Sequence, residues 1–563
     1  MTQVCQRASL TSMQNLTKIC ADCKKEFKID SGDLDLYEKV ELKVPDQCFE
    51  CRVKWHFAFC LFGKFRKGIS DLSGENLITV LPNNPRYPIY KSHEWWSDAW
   101  DPMAFGQNYD LKRPFFDQLK ELQEKIPRSH QTGENSTNCD WCDDVWECKN
   151  CYLCRSLLKC ENVSYVYRVI DTKDSFDILY SFNLQNSYEC LFCHNSFNLN
   201  FSENSRDCID SHFLFDCRNC QNCFMCWNLR NKQYCIRNKQ YSKEEYEKEL
   251  RDIRLDSYKN LEKLKQEFEA ILKKEVVHRE NFNIRTTNST GNYLTDCDKC
   301  INCFSWEKSQ NCRNHIRGMN TKDSIDQTFT WNTEVSGNNS GVFGGFQIKH
   351  SSWSDARYSE YLDICVECEY CFGCIGLRKK KYCILNKQYT KGKYEELKGK
   401  IIEDMKKRGE YGEFLPYSMG ITDYNFSTGM IYFPGTTKKE ILKLGGYWSE
   451  EDFSSTDGIS SFELPDSIVD TKPSISSQAL ICPESKYRFN ISAEEYSFHK
   501  RKGFALPRLH FDLRMLKKAH KTAVLKSYPY KCFYCEKDIM AYYPPEWSYQ
   551  KIACEECYKQ NIA

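Results

Sequence analysis

A cysteine-rich segment occurs twice in this chain, in register and without a gap. Residues 217–241 read CRNCQNCFMCWNLRNKQYCIRNKQY and residues 365–389 read CVECEYCFGCIGLRKKKYCILNKQY, an offset of 148. Upstream, TKDSFD at 172–177 answers TKDSID at 321–326 at an offset of 149. Cys148, Cys151 and Cys154 answer Cys297, Cys300 and Cys303 at that same offset. A segment that recurs at this length is one folding unit used twice. The two copies are placed at 139–275 and 289–410.

A second repeat joins the two ends. Residues 20–52 and 482–514 align at an offset of 462, with Cys20 on Cys482, Phe27 on Phe489 and Pro45 on Pro507. The alignment continues: Ser70 and Ser73 fall on Cys532 and Cys535, and Ser92 and Trp95 on Cys554 and Cys557, with Glu94 over Glu556. Each end thus reads as a tandem of two four-ligand modules with complementary losses. At the N-terminal end the first module is complete (Cys20, Cys23, Cys48, Cys51) and the second is empty (Ser70, Ser73, Ser92, Trp95). At the C-terminal end the first is broken (Cys482, Ser485, His510, Leu513) and the second is complete (Cys532, Cys535, Cys554, Cys557).

Paired CxxC motifs about 20 residues apart are a strong zinc signal, because two knuckles deliver a tetrahedral set of four thiolates. The expectation is one structural Zn2+ per end. Four Cys leave no open position, so the metal staples a lobe and does no chemistry. After Cys48-Phe-Glu-Cys51 the run RVKWHFAF predicts a helix that starts at the second knuckle. Between Cys535 and Cys554, IMAYYPPEWSYQKIA reads as strand, Pro-Pro turn, strand: a ribbon.

The motifs CADCKKEF, DLDLYEK, VPDQC and CFECR resemble a bacterial zinc-ribbon domain of treble-clef type. The layout as a whole is similar to large Cys-rich proteins of uncultured small-genome bacteria, which carry zinc-binding ends and the motifs WWSDxWDP (here Trp95 to Pro102) and NKQYSKEEY (Asn238 to Tyr246). The resemblance implies zinc at the ends and no particular activity. Ser485, His510 and Leu513 depart from it, which leaves that module's metal in doubt.

In the middle, short aromatic runs such as SYVYRVI, FDILYSF and SHFLF alternate with Asn, Asp and Ser. Such spacing argues for many short strands. The fold class expected is therefore mainly β and multidomain: treble-clef or zinc-ribbon lobes at both ends, flanking a duplicated β-solenoid-like middle with a helix closing each repeat. Inward Cys, Ser and Tyr would form its ladders; the alternative is an irregular multi-zinc lobe. Segments are assigned as 1–110 (N-terminal zinc module), 111–138 (helix and linker), 139–275, 289–410, 411–480 (linker) and 481–563 (C-terminal zinc module). Ser242 to Glu245 forms a capping box for a helix running to about Lys274, and its counterpart starts at Thr390.

The central triplets leave three readings open: buried thiols as small apolar residues, extra zinc, or Fe–S clusters. They involve Cys148, Cys151, Cys154, Cys217, Cys220, Cys223, Cys226, Cys297, Cys300, Cys303, Cys365, Cys368, Cys371 and Cys374. A CxxCxxCxxC run differs from the ferredoxin pattern in its last spacing and lacks the following Pro. Replacement of Cys190 and Cys193 by Asn339 and Val342 in the other copy argues against strict ligation.

With 34 Cys in 563 residues and a net charge of +1, the chain is too long for a disulfide scaffold, and its overall charge names no partner. MTQVCQRASLTSMQ holds no apolar run and no stretch of 18 apolar residues occurs, so a cytoplasmic, membrane-free setting with reduced thiols is the expectation. Local charge is less even: residues 499–531 hold ten Lys/Arg against Asp512 alone, a net of +9. Lys500, Arg501, Lys502, Arg508, Arg514, Lys517, Lys518 and Lys521 are the candidate contacts to a nucleic-acid backbone. Arg52, Lys54, Lys64, Arg66 and Lys67 form a smaller cluster in the N-terminal module. A solvated charged helix explains the run equally well. Trp95, Trp96, Trp100 and Phe105 either stack bases or pack a lobe on the middle. No catalytic motif stands out. The functional expectation is a non-enzymatic zinc protein that binds RNA, DNA or a ribonucleoprotein, with a protein-interaction scaffold and an Fe–S redox protein as alternatives.

Overall fold

The computed structural model describes residues 15–134, 136–139, 141–149, 151, 155–158, 167–170, 179–182 and 188–562. Its middle is a parallel sheet wound on itself. Ile209–Phe215 pairs in parallel with Gln221–Trp227, Ile209 opposite Gln221, and that strand pairs with Gln233–Ile236, Gln221 opposite Gln233. In the second copy Gln310–Met319 lies against Lys322–Trp331, Gln310 opposite Lys322. Each step is twelve residues, so one turn of the coil takes twelve. Gly344–Lys349 against Asp355–Asp363 steps by eleven, with Gly344 opposite Asp355.

The turn divides into four triplets. From Glu189 to Arg237 every third residue has φ between 44° and 56°. A left-handed residue bends the chain sharply, so four of them close a turn. For most L-residues this conformation is unfavourable, and Asn and Asp tolerate it best. Asn195, Asn198, Asn204, Asp207, Asp210, Asp216, Asn219, Asn222, Asn228 and Asn231 are such corners. Several pair with the corner one turn away, as Asn219 Nδ2 does with Asn231 Oδ1 (2.6 Å). Phe201 and Phe213 occupy corners too; their rings stack at 4.8 Å, and Phe213 meets Phe268 of the helix Tyr258–Lys274 at 5.6 Å. Burial there offsets the conformational cost.

The residue after each corner points into a bore too narrow for anything large. Cys190, Cys193, Leu199, Ser202, Ser205, Cys208, Ser211, Leu214, Cys217, Cys223 and Cys226 are completely buried. Serine and cysteine serve the same purpose inside. Ser211 Oγ donates to Ile209 O (2.8 Å) and accepts from the amide of Cys223, twelve residues on (3.0 Å). Cys226 Sγ donates to Phe224 O and Cys235 O (3.2 and 3.4 Å) and accepts from the amide of Asn238, again twelve on (3.4 Å). The parallel coil that the short strand runs pointed to is therefore present, but among the described residues tyrosine does not line it. Tyr358, Tyr370 and Tyr382 stack on its outside, with centroids 4.7 and 5.3 Å apart.

The duplicated NKQY is the stop signal. Arg237 and Asn238, and likewise Leu385 and Asn386, are consecutive left-handed residues that turn the chain back as a tight hairpin. Asn386 accepts from the amide of Ile375 (2.9 Å) and donates to Ile375 O (2.7 Å), closing the last turn; Asn238 does the same for Trp227. A helix then covers each coil. Ser242 caps Lys243–Arg251 with the expected box. The long helix expected there is broken, however: Asp252 to Ser257 interrupt it, Arg254 turns onto Asp256, and Tyr258–Lys274 restarts on its own Ser257 cap. Lys391–Arg408 follows Thr390 as expected.

The two coils lie side by side, with Phe192 stacked on Tyr293 at 3.7 Å. The segment 411–480, read as a linker, is packed: Phe414, Leu415, Tyr417, Met419 and Tyr424 are buried against the second coil and the helix Phe115–Lys125. Among the described residues no helix is long and apolar enough to cross a membrane.

The bore sets a test. Ser211→Ala leaves the amide of Cys223 without its acceptor and should cost about 1–3 kcal/mol, whereas Ser211→Cys keeps a donor and acceptor and should cost less. Equilibrium denaturation of the two variants measures the difference, with hydrogen exchange at Cys223 locating it.

Candidate metal centres

Four stretches of the chain share one local build. Each is a two-stranded hairpin (Leu16–Ile19 with Glu26–Ile29, Arg66–Ile69 with Asn76–Thr79, Leu480–Ile481 with Arg488–Phe489, Tyr528–Lys531 with Asp538–Ala541). Each carries a knuckle whose fifth residue is left-handed: Lys24, Gly74, Lys486 and Glu536. In all four that residue's amide donates to the carbonyl of the knuckle's first residue, between 2.9 and 3.1 Å. A helix later starts at the second knuckle, with Cys48, Lys91, His510 and Cys554 at its cap. Repetition extends further between the two ends. The helix Ser31–Val40, stopped at left-handed Glu41, answers Ala493–Lys502, stopped at left-handed Gly503, at the 462-residue offset. The helix expected from the second knuckle is Phe49–Phe57, of which RVKWHF is the later part. The ribbon expected across 536–553 is corrected: its last strand, Lys551–Ala553, pairs in parallel with Val277–Arg279 of the middle and not with the hairpin.

Two of the four builds hold four thiols. In the sets Cys20, Cys23, Cys48, Cys51 and Cys532, Cys535, Cys554, Cys557 all sulfurs lie within 4.8 Å of one another. Cys23 and Cys48 are 3.8 Å apart, and Cys535 and Cys554 3.9 Å. A tetrahedral ion with bonds of about 2.3 Å to sulfur spaces its ligands about 3.8 Å apart, the spacing of the Cys23–Cys48 and Cys535–Cys554 pairs, so both sets could hold a metal ion. The backbone favours thiolates. The amide of Cys48 donates to Cys20 Sγ and that of Cys554 to Cys532 Sγ, each at 3.3 Å. Hydrogen bonds from the Cys51 thiol and amide bring Cys48 down to about 5. Burial opposes the charge on Cys532, but the amides of Cys535, Cys554 and Tyr534 bring it to about 6.

The other two builds hold together without four thiols. In the second N-terminal module Glu94 takes the metal's place. Its buried carboxylate accepts from Ser70 Oγ and from the amide of Lys91, and bonds from Ser70 and Ser73 hold its pKa low despite burial. Glu556, at the aligned position of the intact module, is exposed. Ser92 turns instead to His130 and Ser129. In the module from Cys482, the thiol is fully buried among Phe489, Ile491 and Leu480, with bonds from Ser485 and the amide of His510. His510 has become a helix cap, accepting from the amide of Asp512.

Among the described residues, only the two terminal sets bring three or more Cys, His, Asp or Glu ligand atoms within 4.8 Å of one another. Central cysteines sit in the bores and donate to backbone carbonyls: Cys148 to Trp146, Cys151 to Lys149, Cys217 to Phe215, Cys220 to Arg218, Cys223 to Gln221. Cys297, Cys300 and Cys303 do so with Thr295, Asp298 and Ile301, and Cys365, Cys368, Cys371 and Cys374 with Asp363, Val366, Glu369 and Phe372. Cys154 lies outside the described residues. The sequence reading passed over Cys208, Cys312 and Cys383, which occupy identical inward places. The three-residue spacing that joins them to Ser and Leu was the available signal.

The basic stretch does not form one face. Lys500, Arg501 and Lys502 end a helix, where cations complement its dipole, and Lys500 donates to Ile468 O and Val469 O (3.1 Å each). Lys502 reaches Asn198 Oδ1 (2.8 Å). Arg508 is buried and donates to Pro465 O (2.7 Å), and Arg514 is buried on Glu495 (3.1 Å). Lys517 pairs with Glu484, and Lys521 with both Glu203 and Glu269 (2.7 Å each), while Lys518 contributes to the field at Glu189. Of the aromatic cluster, Trp95 and Trp100 are buried under Arg378 of the second coil, and Trp96 remains half-exposed.

No family model, no curated protein and no solved structure matches this chain.

Metal analysis of single-site variants separates staple from bore. Cys23→Ser should lose one zinc per chain and open the N-terminal lobe, since structural zinc supplies folding free energy to a small lobe. Cys220→Ser should leave zinc content unchanged. Plasma emission spectrometry on both variants reads the result.

Proposed function

We propose that this chain is a non-catalytic scaffold, stapled at each end by one zinc in a zinc-ribbon or treble-clef module, that docks a protein partner on the outer wall of its second coil. The observation that carries the reading is the aromatic file on that wall. Phe346, Tyr358, Tyr370 and Tyr382 follow one another a turn apart, with centroids 4.7–5.4 Å from ring to ring. Tyr358 is 37% exposed and its neighbours are half-buried. Beside them run the pairs Glu369–Lys381 and Glu367–Lys379. Rigid half-exposed tyrosine among charges of both signs is the composition of protein interfaces, where Tyr anchors at little entropic cost.

The nucleic-acid reading keeps one supporting feature. Phe533 (47% exposed) and Tyr534 (39%) stand out from the first C-terminal knuckle, near Lys551, whose ammonium lies 5.8 Å from the Phe533 ring. Exposed aromatics with cations are what unpaired bases stack on. Against it stand the internal partners of Arg508, Arg514, Lys517 and Lys521.

The two readings divide on salt. A nucleic-acid binder loses affinity linearly in log salt, with a slope of about −0.7 per phosphate on single strands. The scaffold should show no such retention on single-stranded RNA at about 0.15 M salt. Tyr358→Ala with Tyr370→Ala should abolish partner capture and leave RNA retention untouched. A steep salt slope that disappears in Phe533→Ala/Tyr534→Ala would instead make the terminal knuckle the binding element.

A further inference from the structure

Both intact thiol sets are followed at once by a side chain that buries itself in a coil. Arg52, next after Cys51, sends Nη2 to Asp326 Oδ1 (2.8 Å) of the second coil, and Tyr37 of the same lobe donates to the other oxygen. Arg52 is 8% exposed and Asp326 4%. Tyr558, next after Cys557, donates from its hydroxyl to Asp216 of the first coil and accepts from Asn228 Nδ2 (3.0 Å). Tyr558 is 1% exposed and Asp216 2%. The same lobe also lends Lys551–Ala553 to Val277–Arg279.

We infer that each zinc site is a latch: the metal fixes the second knuckle, the knuckle aims Arg52 or Tyr558, and that side chain holds its lobe on the buried carboxylate of a coil. The inference rests on the zinc reading above and adds a consequence to it. Each lobe is small, its apolar cluster lies beside the knuckles, and the ion would bind both knuckles through all four thiols. Without the ion only a few hydrogen bonds, such as those from the Cys48 and Cys554 amides to the first thiols, tie the helix start to the first knuckle, and the residue after the last thiol loses its firm bearing. A buried carboxylate that loses a partner is disfavoured, so Asp326 must then be wetted, Asp216 is left to Arg230 and Arg218 of its own coil, and the lobe must leave as a unit. The coils stay wound, because their closure comes from their own ladders and from Asn238 and Asn386. Linkage makes the effect reciprocal: the factor by which zinc tightens docking is the factor by which docking tightens zinc binding.

Hydrogen exchange on the full-length chain, before and after zinc is stripped by a chelator, reads the latch directly. Amides at 49–57 and 313–326, and at 551–558 and 214–230, should lose protection, while 365–384 should keep it. Unchanged protection at 313–326 and 214–230 in the stripped chain overturns the latch, as does loss of protection everywhere at once. Asp326→Asn, which touches no thiol, should let zinc leave the N-terminal site about tenfold more readily and leave the C-terminal site unaffected. Tyr558→Phe, a milder change, should do the reverse. Parent-like zinc retention at both sites in both variants also overturns the proposal. A parent chain that holds no zinc at all would overturn the metal reading itself, a result distinguishable from a loaded chain whose lobes do not respond.

Discussion

The bore of the coil is the constraint on which the rest depends. Twelve residues must make a full turn, so one residue in three adopts the left-handed conformation and one in three points into a narrow space filled mostly by Cys, Ser, Thr, Val or Leu, with His315, Gln327 and Asn339 following corners of the second coil. Where a larger residue enters, its neighbour shrinks: Trp306 is accommodated by Gly318, whose absent Cβ would lie 2.5 Å from the indole. Inward polarity is a requirement, not a defect. The amides that face the bore need acceptors, and a hydroxyl or thiol one turn away supplies them. Cysteine abundance in the middle follows from this geometry, with no metal invoked.

The outer walls divide the labour differently. Many corners that face water are Asn, whereas Phe201 and Phe213 turn toward other elements and Asp216 and Asp326 take partners from the end lobes. Buried carboxylates complete the assembly. Asp363 of the second coil takes Arg128 and Gln123 from the N-terminal half, as Asp326 takes Arg52 and Asp216 takes Tyr558. Each is a polar peg that fixes where an otherwise apolar surface sits.

Much of this could be read beforehand, and the part that could not has a physical cause. Exact internal repeats exposed the duplicated middle and the four related lobes, because cysteine spacing survives where other residues drift. Ser242 marked a helix start through its capping box, and Thr390 marked its counterpart by position in the repeat, without a side-chain cap bond. The turn length stayed hidden because its period of three belongs neither to the two of a flat strand nor to the 3.6 of a helix. A CxxCxxC run has that same period and looks like ligation. Only its continuation through Ser196, Leu199, Ser202 and Ser205 reveals a wall. Charge counting over 499–531 leaves out the partners of those cations: Glu203 and Glu269 are remote in sequence and brought in by the fold, and Glu495 lies just before the counted stretch. Glu94 in place of a metal likewise depends on a serine pair more than twenty residues away.

Nearly every cysteine in the described chain is shielded, and only Cys23 and Cys535 are openly exposed. Folding therefore keeps a dense store of reducing equivalents out of reach of solvent oxidants. That protection lasts only as long as the coils stay closed. Once a turn opens, thiols one rung apart enter water together and are open to mixed or mispaired disulfides. Where that trapping outpaces rewinding, survival in an oxidising medium is set by the rate of opening and not by the equilibrium between folded and unfolded states.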